Sequence, residues 1–326
     1  MAIVNFSSLQ NNLLLLIVFM YLVGCQNLQT RERSGQSPKA TPTKSADIFD
    51  KTPPSEPEVK DEGVAEITAP VIATPELPKL GIILGPGGAK AFAHVGFLKE
   101  LHRSKVPVVA AAGIEWGSLM AALYTHRASA NDVEWQALKF SEHEVFKKKI
   151  FNVSSDTPEF SLLQSQLKSM LGETQLKDHR MTYACPAFRY KQMQNYVMAK
   201  GSALQAVSYC IASPPIAKSF GGYTAGLFEV QRVADFLRSR GANYIIYVNV
   251  LAGGAQKGLS DDTSEVILWQ QVAEYSNRKN LGVDYIVDLN LAKYGILDFK
   301  AKRDIVREGA EQATSPLKIL LRKWNL

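Results

Sequence analysis

Two stretches limit what this chain can fold into. LGIILGPGGAKAFAHVGFLKELHRS, from residue 80, and VPVVAAAGIEWGSLMAALYTH, from residue 106, share one plan. Each runs from a strand-length apolar segment, through a turn containing glycine, into a helical pattern. In the first helix Val95, Leu98 and Leu101 fall on one face. MTYACPAF, NYIIYVNVL and DYIVDLNL are further apolar strands, and residues 131–172 space Leu, Phe and Trp as helices do. Apolar strands alternating with helices predict an α/β fold in three layers, with a mostly parallel central sheet. No internal repeat or second linker interrupts it, so one domain is expected over residues 80–326.

The two turns are where chemistry would sit. Gly85-Pro86-Gly87-Gly88 opens a helix, where unpaired backbone N–H groups and a partial positive charge can hold a phosphate or an oxyanion. A dinucleotide fingerprint fails, because Lys90 occupies the sixth position counted from Gly85. A Walker A loop is also absent. Gly113-Ile114-Glu115-Trp116-Gly117 has the strand–turn–helix setting of a nucleophile elbow, but glutamate holds its middle position.

Together the glycine loop, the following AHVGFL and an elbow some 25 residues on resemble the bacterial patatin-like phospholipase family. MTYACPAF with GSALQAVSYCIASPP, and FGGYTAGLFEVQRVADFLRSRGANYIIYVNV, extend the resemblance over most of the domain. It implies a glycine-rich oxyanion hole, a serine nucleophile in the elbow, an aspartate base before a glycine pair, and hydrolysis of lipid acyl esters. Carried over residue by residue, Gly87, Gly88 and Lys90 match the loop, while Pro86 and Ala91 replace glycines. Gly113 and Gly117 match the elbow, with Trp116 between them, but Glu115 stands where the serine belongs. Gly221 and Gly222 match the last motif, but Phe220 stands where the aspartate belongs.

Glu115 has no hydroxyl and Phe220 accepts no proton, so the resemblance implies a degenerate member without ester hydrolysis. The competing expectation is a working lipid acyl hydrolase with relocated groups. Its candidates are Ser118; Glu115 itself assisted by His94; or a base from Asp132, Asp261 or Asp262. If the dyad is lost, the Glu115 carboxylate is expected to fill the oxyanion hole and pair with Lys90. Trp116 would then offer a ring face to an ammonium group. Neither a cofactor nor a metal is expected: the five histidines show no ligand spacing.

The amino terminus carries a different message. LLLLIVFMYLV, residues 13–23, is short for a bilayer span and suits the apolar core of a secretory signal. Leu22-Val23-Gly24-Cys25 resembles a bacterial lipobox, which implies cleavage after residue 24 and lipid on Cys25. The alternative is an uncleaved signal anchor, since the first twelve residues contain no Lys or Arg. Gln26 resembles an outer-membrane destination in the cell envelope. Residues 25–79 read as a tether too polar to bury a core, with a reach of roughly 40 Å.

Net charge is +6, unevenly placed: residues 1–79 hold 7 basic and 9 acidic side chains, the remainder 30 and 22. A basic domain favours anionic partners such as a lipid surface, and no nucleic-acid motif is present. VFKKKIF, from residue 145, and the terminal LRKWNL are candidate membrane contacts, with solvated helix surface as the alternative. The expected partners are membrane lipid through Cys25, a lipid or acyl chain in the cleft, and a protein partner. Cys185 and Cys210 either pair or stay as buried thiols.

Overall fold

A computed structural model of the chain describes residues 78–145, 160–255, 259 and 262–324. The signal, Cys25 and nearly all of the tether lie outside the described residues, as do Asp261 and most of VFKKKIF.

Among the described residues seven strands form one sheet in the order β4-β3-β2-β1-β6-β7, with β5 paired to β3. They are β1 (Leu80–Leu84), β2 (Val108–Gly113), β3 (Thr182–Arg189), β4 (Gln194–Met198), β5 (Tyr223–Ala225), β6 (Tyr244–Asn249) and β7 (Tyr285–Asp288). The pairs β1–β2, β1–β6, β2–β3 and β6–β7 are parallel, while β4 and β5 run antiparallel to β3. All five expected apolar strands are present. The two antiparallel strands go beyond the sequence pattern: β4 is a half-exposed edge strand that opens on Gln194 and Asn195, and β5 has only three residues.

Side chains alternate faces along a strand, so one that is buried throughout needs cover on both sides. Every residue of β1 is buried, and so are five of six in β6. Helices supply that cover. After β1 come a short 3-10 turn (Gly88–Phe92) and α1 (Ala93–Arg103). After β2 come α2 (Trp116–Arg127), α3 (Ala130–Leu138), α4 (Glu142–Val145) and α5 (Phe160–Leu171). Then follow α6 (Ala203–Ile211), α7 (Val230–Ser239), α8 (Thr263–Ser276) and α9 (Lys302–Lys323). Helix α2 is buried from Trp116 to Thr125, as suits an element walled in on all sides.

The carboxyl-terminal helix α9 lies along α1, and close contact there depends on small residues. A Cβ on Gly309 would stand 2.3 Å from the carbonyl oxygen of Ala93. Trp324, offered by the sequence as a membrane contact, instead meets Tyr244 edge to face at 5.0 Å. Cys185 of β3 and Cys210 of α6 form a disulfide, which settles the open choice between bridge and free thiols. Among the described residues no helix is long and apolar enough to cross a membrane.

Candidate functional site

The site lies at the carboxyl ends of β1 and β2. The chain leaves β2 at Gly113 and enters α2 at Trp116, turning through Glu115 at φ 54° and ψ −123°. Positive φ is uncommon for a residue with a side chain and persists only where its surroundings enforce it. Here they do. Ile114 N–H donates to the Leu84 carbonyl at 2.9 Å, and Ser118 N–H to the Glu115 carbonyl at 2.9 Å. A Cβ on Gly117 would stand 2.2 Å from the Leu84 carbonyl oxygen, and one on Gly113 2.0 Å from the Gly117 oxygen. The glycines are therefore required by backbone crowding, and Glu115 points from the apex of a sharp turn.

Its carboxylate is fully buried and completely engaged. One oxygen, Oε2, accepts from Gly87 N–H at 3.1 Å and Gly88 N–H at 2.9 Å. The other, Oε1, accepts from the Ser213 hydroxyl at 3.1 Å. Burial pushes the carboxyl up to about 7, opposed by hydrogen bonds from the backbone of Trp116, Gly88 and Gly87 and from Ser213. The two glycine donors converge on one carboxylate oxygen as oxyanion donors converge on a reaction's developing charge.

Lys90 takes another direction. It is 1% exposed, and its ammonium donates to the Gly254 carbonyl at 2.5 Å. The Glu115–Lys90 ion pair expected from the sequence is not formed, because the short 3-10 turn carries the lysine toward the loop after β6. Trp116 offers no open face either. It is fully buried in an aromatic cluster, with ring centroids 4.8 Å from Phe140, 4.7 Å from Phe299 and 6.3 Å from Phe92.

The proposed substitutes for the missing groups have other duties. Ser118 Oγ donates to the Glu115 carbonyl at 2.5 Å, closing the start of α2. The ring of His94 is buried with Nε2 2.8 Å from the Gly85 carbonyl. A carbonyl only accepts, so Nε2 carries the proton. Burial pushes His94 down to about 4, leaving it neutral near pH 7. Asp132 lies in the first turn of α3, 4.0 Å from Arg127. Asp262 caps α8 through Ser264 N–H.

Phe220 lies at the first corner of a tight hairpin. Its N–H and carbonyl exchange bonds with those of Tyr223 at 3.0 and 2.9 Å. Gly221 and Gly222 between them have φ of 57° and 84°, as a primed two-residue turn demands. The Phe220 ring stacks on Phe160 at 4.5 Å. Ser213, the third group on the carboxylate, was not singled out from the sequence. It lies 98 residues from Glu115, and SPP after an apolar helix signals only a turn.

Residues 82–235 match the family model described as patatin-like phospholipase. Over those residues the chain is similar to a patatin-like phospholipase domain, and its sheet and helices form the patatin-like α/β fold. Lysophospholipase NTE1 of Scheffersomyces stipitis is 25% identical over 182 residues, covering 52% of this chain and 12% of that protein. Neuropathy target esterase sws of Drosophila melanogaster is 35% identical over 63 residues, 19% of this chain and 4% of that protein. Among solved structures, VipD from Legionella pneumophila matches with a TM-score of 0.43 and 11% identity, covering 74% of this chain and 67% of that one. The chain spans 12% or less of the length of these curated relatives.

Proposed function

We propose that this protein is a catalytically silent member of the lipid acyl hydrolases, attached to a membrane of the bacterial envelope and acting by binding lipid or holding a partner there. One observation carries the reading: the Glu115 carboxylate takes both N–H donors of the glycine turn. A substrate carbonyl would need those donors, and no hydroxyl stands at the apex of the elbow to attack it. Phe220, in a turn and stacked on Phe160, supplies no base. The lipid anchor on Cys25, the tether over residues 25–79 and an outer-membrane location remain part of the proposal. A disulfide suits an exported domain and so supports it.

A second reading has one observation in its favour. Ser213 Oγ lies 3.1 Å from a carboxylate whose pKa is raised to about 7, which is the pairing of a hydroxyl with a base. Both groups are fully buried, and the carboxylate already fills the oxyanion donors.

Turnover of a short-chain chromogenic ester and a fluorogenic phospholipid by the full chain separates the two. The proposal expects the natural protein and Glu115→Ala to be equally silent. Turnover by the natural protein well above Glu115→Ala establishes the second reading instead.

A further inference from the structure

The turn joining β3 to β4 groups exposed apolar side chains with basic ones. Tyr190, Lys191, Gln192 and Met193 project there, with Tyr190 42% and Met193 77% exposed. Exposed apolar side chains grouped together and rimmed by polar ones mark interaction surfaces. The charged side chains that line the turn with them are basic. Arg189, Tyr190, Lys191 and Gln192 line a depression of about 210 Å³ together with Gly221 and Gly222 of the neighbouring hairpin. Tyr190 N–H donates to the Gly222 carbonyl at 3.4 Å, tying the two turns together. Lys218, also exposed, lies three residues before Gly221.

Among the described residues none of these cations forms a salt bridge. Arg189 rests its guanidinium on the Tyr223 ring at 5.4 Å, and neither Lys191 nor Lys218 meets a carboxylate among the described residues. Glu229, at the start of α7, is already committed to Asn195 and Arg232. Strand β3 runs parallel to β2, so the tip points the same way as the elbow that presents Glu115. Basic side chains interleaved with exposed aromatic and aliphatic ones match a bilayer interface, where rings and thioethers enter the headgroup layer and cations meet phosphates.

We propose that the β3–β4 tip, with the Phe220–Tyr223 hairpin beside it, is the surface by which the domain docks on an anionic lipid bilayer. The inference rests on the membrane-apposed reading above and adds the face and the lipid charge. It orients the carboxyl end of the sheet toward the membrane. A second basic cleft, of about 340 Å³, opens beside the amino end of β3, lined by Lys177, Arg180, Lys200 and Arg240. Its apolar lining is recessed, with Met181 and Phe236 only partly exposed, so it lacks the projecting side chains that enter a bilayer.

The test uses the full chain with Cys25→Ser, labelled with an environment-sensitive fluorophore at Met193→Cys or, separately, at Lys177→Cys. Vesicles are phosphatidylglycerol or phosphatidylcholine. Any anchoring by residues 13–23 is common to both, so the label reports the domain surface. The Met193 label is expected to shift to the blue on phosphatidylglycerol but not on phosphatidylcholine, and the shift is lost at high salt. The Lys177 label stays in water. Lys191→Glu, which reverses a charge on the tip, weakens docking by roughly 30-fold. Unchanged circular dichroism and melting in the variants establish that they are folded. A shift at Lys177 and none at Met193 overturns the proposal while the membrane-apposed reading stands. No shift at either label, with no lipid extracted from the purified protein, overturns both. A Met193 shift that grows with protein concentration in the absence of vesicles assigns the tip to a second copy and also overturns it.

Discussion

Replacing Glu115 by Gln tests how the carboxyl is held. Gln keeps an oxygen for the Gly87 and Gly88 N–H groups and places an amide opposite Ser213, much as the protonated acid would. The difference is that Gln never ionises. Burial raises the folded-state pKa of Glu115 from 4.5 to about 7. The folded protein therefore binds this proton more tightly than the unfolded chain does, and stability falls as pH rises from about 4.5 through 7. At 1.36 kcal/mol per pKa unit the full loss is about 3 kcal/mol, complete near pH 8. His94 and His179, both pushed down to about 4 by burial, titrate in wild type and variant alike and cancel in the comparison. Urea unfolding of both proteins at intervals from pH 4.5 to 8.5 gives the difference directly. Glu115→Gln should gain on the wild type by about 3 kcal/mol across that range. A difference that stays flat, or that turns against Gln as pH rises, refutes the reasoning, since the latter would mean a carboxylate held ionised with a lowered pKa.

Three further outcomes follow from the packing. Ser213→Ala removes a donor to the buried carboxyl and should cost about 1–2 kcal/mol, with the larger loss at pH 8, where the carboxyl is ionised; denaturant midpoints at pH 5 and pH 8 check it. Gly117→Ala forces a Cβ against the Leu84 carbonyl oxygen and should leave little folded protein, seen as loss of soluble monomer on gel filtration. Replacing Cys185 and Cys210 together by Ala releases a loop with a sequence separation of 25 and should cost about 3 kcal/mol, read as a lowered melting temperature in calorimetry.

How much was legible beforehand depends on range. The five apolar strands and the helices around them rest on local periodicity, and they appear where the pattern places them. The elbow and the glycine turn were legible because backbone crowding admits only glycine at positions such as Gly117. The contact between Glu115 and the glycine N–H groups follows from the resemblance, which places the elbow beside the oxyanion loop. Partners brought in from far along the chain were not legible. The local pattern points Lys90 at Glu115, yet it reaches Gly254, 164 residues away. Ser213 comes in after α6 with no motif to mark it. Its place beside Glu115 suggests a ligand face for Trp116, but on the first turn of a helix walled in on all sides it joins Phe140 and Phe299 in the core. The edge strand β4 lacks the apolar alternation that betrays a strand, since its burial is only partial.

A carboxylate of the chain itself fills the oxyanion donors. The most direct measurement follows the Gly87 and Gly88 amide resonances of the full chain by ¹⁵N NMR between pH 5 and 9, beside Glu115→Gln. The account predicts that both amides titrate together with a midpoint near 7 in the wild type and that the movement vanishes in the variant. Amides that do not move with pH, or that move equally in Glu115→Gln, would contradict it.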